Sequence, residues 1–93
     1  MLMMFLTEYR TKPFMTKAET TEMMELFAKV GEAPGTVAHY VDADGGGGWI
    51  LSESNDPAAN YANTIRYEPY LQIKTSVVMP VDQAVPLILE GLS

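Results

Sequence analysis

The chain opens with an apolar run, Leu2-Met3-Met4-Phe5-Leu6, which gives way to alternation up to Arg10 with no Gly or Pro inside. That pattern predicts a first strand over residues 2–10, closed by Pro13. Thr16-Lys17-Ala18-Glu19 has the spacing of a capping box, in which the hydroxyl and the carboxylate each accept from the other residue's backbone N–H. Met23, Leu26, Phe27 and Val30 then recur at i, i+3, i+4 and i+7, one face of a helix. Glu19, Glu22 and Glu25 lie off that face, and Glu25 precedes Lys29 by four, the favourable order for an exposed pair. Gly31 suits the left-handed position after a helix end. The first helix is therefore expected over 17–30.

Glu32-Ala33-Pro34-Gly35 reads as a turn. Residues 36–43 alternate, with Val37, His39 and Val41 on one side, and predict a second strand. Asp44 and Gly45 to Gly48 break the pattern before a third strand, Trp49 to Ser54, so the two strands are expected to form an antiparallel hairpin. Asp56 before Pro57 is an N-cap followed by a favourable first helical residue. Ala58, Tyr61, Ala62 and Ile65 form the expected buried face of the second helix, which should stop near Tyr67 because Pro69 disfavours helix at Glu68. Tyr70 to Met79 predicts a fourth strand, ended by Pro80. Val81 to Leu92 predicts a short third helix, capped by Asp82, ended near Gly91 and irregular around Pro86.

The order β-α-β-β-α-β plus a terminal helix is that of an α+β, ferredoxin-like split βαβ unit. Right-handed crossovers place both main helices on one face of a four-stranded antiparallel sheet. In the fourth strand Leu71, Ile73, Thr75 and Val77 are expected to look inward, and Tyr70, Gln72, Lys74, Ser76 and Val78 outward. Strand one is apolar on both faces, Leu2, Met4 and Leu6 against Met3 and Phe5. Burial of the second face by another copy is the natural consequence, and charge placed at Met3 or Phe5 is expected to disturb it.

Length and composition narrow the class. Ninety-three residues allow a single domain over 1–93. Twelve acidic residues against six basic ones, a net charge of -6, lack the basic stripe of a nucleic-acid binder. Without cysteine there is no disulfide, thiolate nucleophile or cysteine zinc site. The N-terminal apolar run is too short for a signal peptide and lacks a basic n-region. No stretch approaches the roughly 20 apolar residues of a membrane helix. The expectation is a cytoplasmic protein that contacts neither membrane nor nucleic acid.

From Pro34-Gly35 through the glycine-rich turn before strand three, Glu53, Asp56-Pro57-Ala58-Ala59 and Tyr70-Leu71 to Val78-Met79-Pro80-Val81, the chain resembles a family of small uncharacterised proteins. That family is assigned to the ferredoxin-like dimeric α/β-barrel group. The resemblance implies that fold and a homodimer, and carries over no catalytic residue. Larger relatives in the group include cofactor-independent monooxygenases and small-molecule-binding proteins.

His39, the single histidine, is the candidate catalytic residue, since imidazole exchanges protons near neutrality. The plainer reading is a strand histidine bonded to a neighbour. His39 with Asp42 and Asp44 makes a poor metal set, because alternation separates His39 from Asp42 and aspartates beside a turn serve the turn. The four glycines read as a hairpin tip, since no helix and no Lys-Ser/Thr follow to make a phosphate loop. Asn60, Asn63, Thr64 and Tyr67 form a polar stripe on helix two, read as a solvated face. Among the aromatic residues Tyr9, Tyr40, Trp49, Tyr67 and Tyr70, the candidates for ligand binding beside His39 are Tyr40, Trp49, Tyr67 and Tyr70. Glu8, Glu53 and Lys74 are read as ion-pair formers. No cofactor is implied. Two functions follow: a homodimeric binding or regulatory protein for a small molecule or partner, or a cofactor-independent enzyme of monooxygenase or isomerase type with a pocket near His39.

Overall fold

The structure is a computed structural model and describes residues 2–93. Its elements are β1 (Met3–Thr11), α1 (Lys17–Val30), β2 (Thr36–Val41), β3 (Gly47–Ser54), α2 (Pro57–Ile65), β4 (Leu71–Val78) and α3 (Val81–Leu92). The strands lie in the order β2-β3-β1-β4 with all neighbours antiparallel. This is the ferredoxin-like arrangement that the element order predicts.

Local chemistry sets the helix starts. At α1 the Glu19 N–H donates to the Thr16 hydroxyl and the Thr16 N–H donates to the Glu19 carboxylate, both at 3.1 Å. The carboxyl of Glu19 is held below its ordinary range, first by the backbone and then by the side chain of Thr16. Gly31 follows α1 with φ +68° and its N–H donates to the Phe27 carbonyl. At α2, the Asp56 carboxylate accepts from the N–H groups of Ala58 and Ala59. α3 departs from expectation: Asp82 lies in its first turn, Pro80 precedes it without a side-chain cap, and Gly91 is inside the helix. With only Gln83 and Ala84 N–H bonding back to Pro80 O, the backbone starts the helix unaided.

Register assigns the faces. Phe5, Thr7, Tyr9 and Thr11 of β1 share a side with Ser52 and Ile50 of β3 and with Val77, Thr75, Ile73 and Leu71 of β4. Both helices cover this side. Met4, Leu6, Glu8 and Arg10 face the other way with Trp49, Leu51 and Glu53, and no helix covers them. Phe5, buried on the helix side, is therefore core, and β1 presents Met4 and Leu6 to the open face. In β2, Thr36 pairs with Ser52 and Ala38 with Leu51, leaving Val37 as the extra residue of a bulge. The bulge is why Val37 departs from the predicted set with His39 and Val41.

Two further corrections concern packing. β3 begins at Gly47, two residues before the predicted start, because Gly47 and Gly48 pair with Arg10 and Tyr9. More consequential is the rotation of α2. Its predicted buried stripe faces outward, with Tyr61 64% and Ile65 42% exposed, whereas Asn60 is 7% exposed and Tyr67 8%. The cause is a polar tie: the Asn63 amide (3.3 Å) and the Tyr67 hydroxyl (2.8 Å) both donate to the Gly31 carbonyl, a backbone acceptor left over at the end of α1. The core is correspondingly small. Phe5, Ala33 and Tyr67 are its buried hydrophobic residues, and neither α1 nor α3 buries a residue fully.

Candidate functional site

The sheet and its two helices do not close on each other. Between them lies a cavity of about 360 Å³, within the range of small-molecule sites. Met23, Met24 and Phe27 of α1 form one wall, Ile50, Leu71 and Ile73 of the sheet another, and Asn63 and Thr64 of α2 with Tyr67 of the turn that follows it a third. Tyr9, His39 and Glu32 add a polar line to this apolar lining.

These three residues are joined. The Tyr9 hydroxyl lies 2.7 Å from His39 Nε2, and His39 Nδ1 lies 2.5 Å from the Glu32 carboxylate. Phe27 stands edge-on to the imidazole with ring centroids 6.3 Å apart. The His39 side chain is 22% exposed and that of Glu32 34%. Burial, then the charges of Asp42 and Glu32, raise the pKa of Tyr9, so its phenol keeps its proton at neutral pH. A carboxylate only accepts hydrogen bonds, which puts a proton on His39 Nδ1 and leaves Nε2 to deal with the phenol. The arrangement is a carboxylate–imidazole–phenol relay.

The backbone explains how the relay forms. Tyr9 is on β1 and His39 on β2, with β3 between them. Tyr9 pairs with Gly48 of β3, and its ring crosses above that glycine. A Cβ on Gly48 would lie 2.6 Å from the Tyr9 hydroxyl oxygen and would also strike the Tyr40 carbonyl. Glycine inside a strand marks a close approach of this kind. Only Gly45 and Gly46 of the four lie in the hairpin turn, where Gly45 has φ +78°.

The predicted site residues divide between two faces. His39 and Tyr67 line the cavity. Tyr67 belongs to the stripe read from sequence as solvated, and the same stripe places Asn63 and Thr64 at the cavity wall. Tyr40 and Trp49 lie on the open face, with ring centroids 4.8 Å apart. Tyr70 is at the foot of β4, where its hydroxyl donates to Glu22 at 3.4 Å. The sequence reading missed Glu32, assigned to a turn, and did not single out Tyr9 for the site. Gly48 within a strand was the available signal.

Asp42 and Asp44 are engaged in the hairpin itself. Arg10 spans them with two 3.2 Å ion pairs, and Asp44 accepts from the Gly46 N–H at 2.7 Å. Glu8 and Lys74 stand opposite in register, but the ion pairs formed among the described residues are Arg10–Asp42, Arg10–Asp44 and His39–Glu32. A second hollow, about 430 Å³, lies on the open face between Glu8, Arg10, Trp49, Gln72 and Lys74. No helix of the described residues is long and apolar enough to cross a membrane.

Comparison with known proteins adds kinship. No curated protein matches the chain. Among solved structures, that of Rv0793 from Mycobacterium tuberculosis is similar at 12% identity and a TM-score of 0.49, over 86% of this chain and 95% of that one. A family model described as a domain of unknown function, DUF3303, matches residues 3–92, and the chain belongs to that family.

Proposed function

We propose that this chain is a small-molecule-binding protein that holds a mostly apolar ligand in the cavity between sheet and helices and works as a homodimer. One observation carries the ligand reading: the Glu32–His39–Tyr9 relay ends in a cavity whose other walls are largely apolar. A few convergent polar groups in an apolar hollow are what orient a bound small molecule. Titration with naphthalene-sized aromatic compounds, followed by the imidazole proton resonances of the single histidine and by thermal melting, tests it. Shifted resonances with a raised melting temperature are expected. Neither change up to millimolar ligand overturns the reading.

The homodimer rests on area. The chain exposes 6631 Å², whereas a compact monomer of 10.3 kDa exposes roughly 5,350 Å². The excess is about 1,300 Å², more than the roughly 800 Å² that each partner buries in a standard interface. The radius of gyration, 15.8 Å, likewise exceeds the roughly 12 Å of a compact domain of this length. The unpartnered apolar surface has three parts: the open sheet face, where Tyr40 and Trp49 are exposed beside half-buried Leu6 and Leu51, the outer side of α2 at Tyr61 and Ile65, and α3, where Leu87, Ile88, Leu89 and Leu92 are all exposed.

The relay also favours a second reading, a cofactor-independent enzyme. An imidazole held between a carboxylate and a phenol is equipped to move a proton to or from a bound substrate. Loss of hydrogen–deuterium exchange into a bound ketone on replacing His39 by Ala would separate catalysis from binding alone.

A further inference from the structure

The hydrogen-bond chain has a direction, and the direction selects the ligand. Glu32 accepts from His39 Nδ1–H, because a carboxylate has no proton to give. When the imidazole is neutral, Nε2 is an acceptor, so the Tyr9 O–H donates to it across 2.7 Å. The phenol has then spent its only proton. What it offers any further partner is an oxygen lone pair, so a group that meets it from the cavity has to be a donor.

The surrounding charge points the same way. Glu32 and Asp42 are the carboxylates of the lining, Asp42 being paired with Arg10 outside it, and no Lys or Arg is among the lining's described residues. From α1 the neighbours are Met23, Met24 and Phe27. From α2 they are Asn63 and Thr64, with Tyr67 from the turn after it; Arg66, outside the lining, acts on the Tyr67 phenol. A carboxylate or phosphate ligand would therefore enter against like charge without a cation to pair with. A full positive charge would lose its hydration among Ile50, Ile73, Leu71 and Phe27. A neutral hydroxyl suffers neither penalty, and the flat rings of Phe27, Tyr67 and His39 suit an aromatic or conjugated body.

We infer that the cavity takes an uncharged aromatic or conjugated molecule bearing a hydroxyl, of the phenol or enol class, whose O–H donates to Tyr9. This rests on the cavity being a ligand site, and the test separates the two ideas. Three probes of one shape are titrated by calorimetry near neutral pH: 2-naphthol, 2-methoxynaphthalene and 2-naphthoate. The ether keeps the ring system and loses the donor. The carboxylate replaces the donor with a charge.

The expected result is binding of 2-naphthol about tenfold tighter than the ether, with naphthoate weaker than both. In Tyr9→Phe the preference for naphthol over the ether should fall to within about twofold. The comparison of naphthol with the ether in the unmodified protein needs no variant to fold. Equal binding of naphthol and ether, or tighter binding of naphthoate, overturns the inference while leaving the cavity as a ligand site. Failure of all three to bind overturns both.

Discussion

The phenol of Tyr9 reaches the imidazole of His39 over the backbone of Gly48. A side chain at residue 48 would occupy the place of the Tyr9 hydroxyl, so one hydrogen atom on β3 decides whether β1 and β2 are joined through the cavity. Gly48→Ala should break the Tyr9–His39 bond. Because the added methyl also meets the Tyr40 carbonyl, the backbone has to shift, at a cost of about 1–3 kcal/mol. Urea unfolding gives the cost. The imidazole resonances, unambiguous with a single histidine, report the bond. Unchanged imidazole resonances in a folded Gly48→Ala protein would show that Tyr9 and His39 are not coupled.

The capping box makes a second, local prediction. Thr16→Ala removes the hydroxyl that accepts from Glu19 N–H and should cost about 1 kcal/mol, a fall in melting temperature of about 4–8 °C for a domain of this size. It should also change the acid response. The Glu19 carboxyl is lowered in the folded chain, chiefly by the Thr16 backbone N–H. Its contribution is therefore present in full above the unfolded carboxyl range and is lost as pH falls through the folded value. Glu19→Gln should flatten the stability profile between roughly pH 5 and 3 relative to the parent. Identical slopes in that window would count against the box.

Helix α1 and the relay mark the two ends of what the sequence made readable. α1 is written in neighbouring residues: Thr16 and Glu19 start it, the spacing of Met23, Leu26, Phe27 and Val30 carries it, and Gly31 ends it. Its observed span, Lys17–Val30, is the predicted one. The four strands and their order followed from alternation and connection rules in the same way. The rotation of α2 did not, because it is set by the Gly31 carbonyl, some thirty residues away in the chain, drawing Asn63 and Tyr67 inward. Periodicity finds the apolar side of a helix, but here a polar tie turned the other side to the sheet. The relay was hidden for a related reason. Its members come from three places in the chain, and only His39 was conspicuous by type.

A third prediction concerns Ser52, the most buried side chain at 1% exposure. Its hydroxyl finds no partner, and the buried Asn60 carbonyl oxygen is in the same position. A buried polar atom without a partner carries its full desolvation penalty, about 1–3 kcal/mol. Ser52→Ala should therefore be neutral or stabilising, in contrast to most substitutions at so buried a position. Thermal melting decides it. A loss of more than about 1 kcal/mol would mean that the hydroxyl makes a hydrogen bond in solution.

The fourth prediction tests the homodimer by face. Leu6 and Phe5 are chain neighbours pointing to opposite sides of β1, Phe5 into the core and Leu6 onto the open sheet between Leu51 and Ser76. A charge at Phe5 goes into the folded interior and should unfold the chain. A charge at Leu6 goes onto the open sheet face, where the proposed interface would lie. Leu6→Glu should therefore leave the circular dichroism of the fold in place while halving the mass seen by light scattering. It should also remove the rise of melting temperature with protein concentration that a dimer displays. Leu89→Glu asks the same of α3, whose exposed leucines belong to the same surplus of apolar area. If the unmodified chain has the mass of one copy at micromolar concentration, the excess surface is not an interface between copies, and the homodimer fails.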